Sequence, residues 1–205
     1  MQIEQFVYLI PALLFAISVH EYAHGIVAYR LGDPTPKYQG RLTLNPLAHL
    51  DPLGALMLLV FRFGWAKPVM INAQYFTDRN KGMILVAIAG PLSNITLAWF
   101  FYTLLQFVPQ MILPNIAVAR TVATFLSINV QLNLGLAAFN LLPLPPLDGS
   151  KVLGGLLPGR YQYRYESIAQ FGPLLLILLL MTGMAQVILS PIFHFLLLLI
   201  SGFNL

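Results

Sequence analysis

The run AISVHEYAHGIVAYR, residues 16–30, sets His20, Glu21 and His24 among residues that are otherwise mostly apolar. On a helix, His20 and His24 lie one turn apart and point the same way, so two imidazoles can share one Zn²⁺. Glu21, about 100° round, can reach a water at that metal. The chemistry this spacing suits is metal-assisted hydrolysis with a carboxylate as general base. With four histidines in 205 residues, composition alone yields H-E-x-x-H on the order of once in a thousand such chains. A purely structural reading, polar groups hydrogen-bonding between helices, leaves Glu21 without a reason. An acid at the centre of a membrane helix costs about 3 kcal/mol and needs a partner.

Catalytic zinc takes three protein ligands and keeps one position open. A third histidine at position 30 would complete an extended motif, but Arg30 stands there. His194 lies in the last apolar segment, where a packing role is expected, and His49 reads as a surface or capping group in a polar loop. Glu4, Asp33, Asp51, Asp78 and Glu166 fall near chain ends or in polar stretches. Asp148 closes NLLPLPPLDG, a proline-framed turn that can fold back toward the first helix. The residues alone leave it open whether Asp148 is a ligand or an ordinary Asp-Gly turn.

These groups need elements to hold them. The chain is 58% hydrophobic and 9% charged, with a mean hydropathy of +0.77, where a soluble domain carries about 25% charged residues. This is the composition of a membrane protein. Long apolar runs predict spans over 6–31, 83–108 and 119–142, and the apolar stretch 170–205, with Ser190-Pro191 near its middle, reads as a helical hairpin in preference to one long kinked helix, because it is too long for a single span. The run at 53–65 is short for a span and suits a re-entrant segment. Alternating residues near Arg41–Leu44 and along 65–76 have strand character, Pro68 confining the second to an edge. The first apolar block lacks the basic start of a removable signal peptide and is expected to stay. Cysteine is absent, which excludes disulfides and thiolate ligands.

The net charge of +4 is read as topology and not as nucleic-acid binding. With the N-terminus outside, Arg30, Lys37, Arg41, Arg62, Lys67, Arg79, Lys81, Lys151, Arg160 and Arg164 share one side, and Arg120 lies opposite. The positive-inside rule makes the crowded side cytoplasmic. The expectation is a multi-pass protein of the cell membrane, in contact with the lipid bilayer, its Asp148 loop opening to the cytoplasm.

Three motifs together, His20-Glu21-Tyr22-Ala23-His24, Gly90-Pro91-Leu92-Ser93-Asn94 and the loop from Asn140 to Gly149, resemble the site-2 protease family of intramembrane zinc metalloproteases, peptidase family M50. The resemblance covers roughly residues 6–150. It implies an all-α polytopic membrane protein with a three-helix catalytic core, a C-terminal helical hairpin at about 168–205, and a short re-entrant or β-like segment between the first two core helices. The chain 1–205 is then one membrane-embedded domain, a minimal form without PDZ or CBS modules. The resemblance makes His20, His24 and Asp148 the ligands of one Zn²⁺ and Glu21 the base. It gives Asn94 and Asn140 contacts to substrate or oxyanion, and Arg62–Phe76 the role of an edge for an extended substrate.

The implied activity is hydrolysis of peptide bonds in transmembrane or membrane-associated proteins, as in regulated intramembrane proteolysis. Two rivals come from other classes. A divalent-cation transporter accounts for the ligands but not for the offset of Glu21, and an inactive substrate-binding relative would keep the fold without the chemistry.

Overall fold

The structure is a computed structural model that describes residues 3–61, 66–108 and 115–202. Helix α1 (Ile3–Arg30) is followed by a single turn, α2 (Thr35–Tyr38), and by the short α3 (Pro52–Phe61). Helices α4 (Arg79–Phe107) and α5 (Ile116–Asn140) form an antiparallel pair, after which come α6 (Asp148–Leu156), α7 (Gly159–Ala169), α8 (Gly172–Met181) and α9 (Met184–Ser201). Four of these, α1, α4, α5 and α9, are long and apolar enough to cross a membrane, and α7 with α8, bent by 60°, is a possible fifth. The protein is an all-α, multi-pass membrane protein.

The three expected spans are present within a few residues of their bounds, and polar caps extend the starts of α4 and α5. Asp78 accepts from the amide of Lys81 at 3.0 Å and Asn115 from that of Val118 at 2.9 Å. Both satisfy amides that a helix start leaves unpaired. Helix α4 is the hub, packing against α1, α5, α6 and α9. Its outward face carries Leu85, Leu92, Trp99 and Phe100, all about half exposed, as lipid contact requires.

One expectation is sharpened and one changes. The C-terminal break falls at Thr182-Gly183, where Gly183 adopts φ 73°, and Pro191 lies inside α9. A membrane helix tolerates proline because neighbours re-satisfy the freed backbone, whereas a left-handed residue ends the helix outright. Near Arg41–Leu44 the chain forms no strand; buried Arg41 instead donates to the carbonyl of Ala48.

The segment between α3 and α4 does have β-like character. Ala66 makes an isolated antiparallel bridge with Leu50, and the Lys67 amide donates to the His49 carbonyl at 2.9 Å. Residues 67–72 then run extended along α1, tied down where the Asn72 amide donates to Asp33 Oδ2 at 2.7 Å. Residues Arg62–Trp65, the start of the expected re-entrant loop, lie outside the described part.

Candidate metal centre

The His20 and His24 side chains leave α1 toward α4, one turn apart. Asp148, the first residue of α6, reaches them from the other end of the sequence. Its Oδ2 lies 3.1 Å from His20 Nε2 and 3.1 Å from His24 Nε2, and the two nitrogens are 3.0 Å apart. All three residues are buried.

The outer ring nitrogens decide what those inner atoms can be. His24 Nδ1 is 2.7 Å from the carbonyl of Val86, which can only accept, so Nδ1 carries the proton. His20 Nδ1 is 2.6 Å from Asn94 Oδ1 and is likewise the donor. In the neutral rings both Nε2 atoms then present lone pairs, as does the carboxylate. Three acceptors that converge in this way could hold a metal ion. A tetrahedral zinc with ligands at about 2.0–2.1 Å has ligand-to-ligand edges of about 3.3 Å, close to the observed separations, so the donor set fits the ion.

The local sequence explains why α4 can approach so closely. A methyl group on Gly90 would lie 2.5 Å from His20 Nε2 and closer still to His24 Nε2. Pro91 removes one helical hydrogen bond in the same turn. Gly149 serves Asp148 in the same way, since a Cβ there would meet the main-chain oxygens of Leu141 and Leu142. The second carboxylate oxygen, Asp148 Oδ1, receives Lys151 Nζ at 3.3 Å, which leaves Oδ2 to face the histidines.

Glu21 is half-buried and stands apart from the converging trio. Its Oε2 accepts from the amide of Val69 at 3.0 Å, so the extended segment touches the expected base directly. Asn94 is wholly buried, holding His20 through Oδ1 while its Nδ2 donates to Ala16 O at 3.3 Å and Asn133 Oδ1 at 2.9 Å. Asn140 donates to Leu136 in its own helix at 3.0 Å, and no hydrogen bond joins it to the histidines among the described residues. His49 differs from expectation. It is 1% exposed, with Nε2 donating to Thr43 O at 2.9 Å, because the bridged segment 66–67 packs over its loop. His194 is exposed on α9 and donates to Ser190 O at 2.7 Å.

Sequence reasoning gave no site role to Gly90, although it opens a quoted motif, nor to Lys151, the Val69 amide or Asn133. The signal for Asn133 was present, since Asn129 and Asn133 are one turn apart in an apolar span, where paired amides seldom stand without work to do.

Comparison with known proteins gives the same direction. Residues 108–180 match the family described as Peptidase family M50. The chain is 40% identical over 188 residues to YwhC of Bacillus subtilis, covering 91% of this chain and 86% of that protein. It is 32% identical over 183 residues to Rip2 of Mycolicibacterium smegmatis, covering 86% and 68%. With MJ0611 of Methanocaldococcus jannaschii it shares 36% over 140 residues, covering 65% and 62%. All three bear the name "Putative zinc metalloprotease". No solved structure matches the chain. An identity of 40% across most of both chains, joined to the family match over α5 to α8, establishes that the chain belongs to peptidase family M50.

Proposed function

We propose that this protein is a zinc metallopeptidase that hydrolyses peptide bonds of transmembrane or membrane-associated proteins, in the manner of regulated intramembrane proteolysis. The observation that carries the reading is the convergence of His20 Nε2, His24 Nε2 and Asp148 Oδ2, all acceptors, within an apolar helical bundle. The names of the relatives favour zinc among the ions that two imidazoles and a carboxylate accept. Zinc, when bound, supplies Lewis acidity toward the scissile carbonyl and acidifies a water.

The other steps belong to the chain. Glu21 accepts the proton of the attacking water and passes it to the leaving amine. The Val69 amide holds Oε2 in place and leaves Oε1 to carry that proton. A substrate helix hides its carbonyls in its own hydrogen bonds, so it must unwind before it can react. The extended segment can receive the unwound strand. Lys67 and Val69 turn their amides inward, while Met70, of opposite parity and 62% exposed, lies on the edge available for pairing. Asn140, at the end of α5 and tied only within its helix, is assigned a hydrogen bond to substrate.

The basic residues support an external N-terminus and an active site opening to the cytoplasm, because nine of those in described segments share the side of the Asp148 loop and Arg120 alone is opposite. The chain 1–205 acts as one domain, since α8 packs on that loop.

Glu21→Gln in purified, zinc-loaded protein tests the mechanism. The variant is expected to keep one zinc per chain and to lose cleavage of a membrane substrate. Cleavage at the wild-type rate with zinc bound would remove Glu21 as the base.

A further inference from the structure

Asn94, Asn133 and Asn129 are each 1% exposed or less. Amides buried this deeply are costly unless their groups are paired; those of Asn94 and Asn133 are paired in a chain that begins at a ligand and ends on the main chain of Asn129, whose own Nδ2 donates to Phe125 O while its Oδ1 has no partner among the described residues. His20 Nδ1 meets Asn94 Oδ1 at 2.6 Å, Asn94 Nδ2 meets Asn133 Oδ1 at 2.9 Å, and Asn133 Nδ2 meets the main-chain carbonyl of Asn129 at 2.9 Å.

The direction of this chain is set at its far end. An asparagine amide can be turned over, exchanging donor for acceptor, but a main-chain carbonyl can only accept. Asn129 O therefore obliges Asn133 to present its NH₂ there and its oxygen to Asn94. Asn94 must answer with its NH₂, which Ala16 O also accepts, and turn its own oxygen to His20. The imidazole then keeps its proton on Nδ1 and its lone pair on Nε2. Were Asn94 turned over, the proton would pass to Nε2 and point at Asp148 Oδ2, 3.1 Å away. That would close the site with a hydrogen bond in place of a metal.

We propose that Asn133 is a positioning residue that, through Asn94, sets the tautomer of His20 and so readies the site for its ion. His24 reaches the same state in one step, from Val86 O, whereas His20 depends on Asn94, which Asn133 Oδ1 at 2.9 Å and, more weakly, Ala16 O at 3.3 Å hold in place. The inference rests on the metal-centre reading and adds to it a residue on α5 that touches neither ion nor substrate.

The test uses the full chain in detergent, with zinc affinity measured by chelator competition and the ligand field read from the spectrum of the Co²⁺-substituted protein. Asn133→Leu is expected to weaken zinc binding about tenfold, within the range seen for outer-sphere partners, and to shift the Co²⁺ spectrum. Asn133→Asp, held neutral by burial, donates its O–H to Asn129 O and accepts from Asn94, and is expected to stay within about threefold of wild type. Gln131→Leu, an exposed change on the same helix, is expected to leave binding unchanged.

Wild-type affinity in Asn133→Leu, or an equal loss in Asn133→Asp, would overturn the proposal. ¹⁵N-histidine NMR of the zinc-stripped wild-type chain decides it without any variant. A proton on His20 Nδ1 is expected, and one on Nε2 would overturn it. A wild-type chain that takes up no zinc would sink the metal-centre reading itself, leaving a distinct record from a failure at Asn133.

Discussion

The α4–α5 pair presents two different surfaces, and the contrast separates specificity from stability. Toward α1 it offers Gly90, Asn94 and Asn133, where the amides are hydrogen-bonded in a fixed direction. Toward α9 it offers Ala98, Phe101, Leu126, Val130 and Leu134, which pack on Leu196 and Ile200 with no polar partner to satisfy. On the α1 side the direction of each hydrogen bond matters, and a single added methyl has no room. On the α9 side volume matters, and any filling of the right size serves.

The strongest attempt to break this contrast is Gly90→Ala. The two rings are pinned through Nδ1, so they cannot swing aside for the new methyl without losing Asn94 or Val86. Zinc affinity is expected to fall by about a hundredfold or more, the upper end for lost orientation of ligands, and the metal-free chain to lose about 1–3 kcal/mol of stability to overpacking. Chelator competition and a thermal melt in detergent check both halves. If the variant binds zinc like wild type, the α1 side is no more exacting than the α9 side.

Leu134→Ala asks the converse. Leu134 is fully buried in the α9-facing cluster, and the cavity left is expected to cost about 2–3 kcal/mol, the lower part of the range for such truncations. Zinc affinity should hold. Loss of zinc in a variant that still melts cooperatively would show the two surfaces to be coupled. The smallest effect is expected from Lys151→Met. Its ammonium is partly exposed, with a side chain 43% accessible, so screening limits its hold on Asp148 Oδ1, and zinc should bind about threefold more weakly. An unchanged affinity would place the boundary of the exacting region at Asp148 itself.

Much of this was legible in the residues. Long apolar runs marked α1, α4 and α5, because a bilayer sets the length of any helix that crosses it. H-E-x-x-H was readable because one helical turn fixes the separation of its histidines. What escaped reading depends on contacts distant in sequence. His49 resembles a loop histidine until the 66–67 segment is laid over it. In the last apolar stretch Pro191 is the residue that most resembles a breaker, but the break before α9 depends on the backbone angle of Gly183. The role of Gly90 is visible only when α4 is docked on α1, and that of Asn133 only when the direction of its hydrogen bonds is followed to a carbonyl.

The loop that delivers Asp148 is gripped from its far side. Tyr165 Oη donates to Pro143 O at 3.1 Å, Gly172 lies so close to Pro145 that a Cβ would stand 2.6 Å from the proline Cβ, and Leu176 packs with Leu142 and Leu147. The consequence concerns modularity. Although the motifs end at Gly149, the structure offers no clean place to cut there, and the smallest unit that keeps Asp148 in register extends through Leu176. Insertions, fusions and tags are better placed beyond that brace than at the apparent edge of the motif.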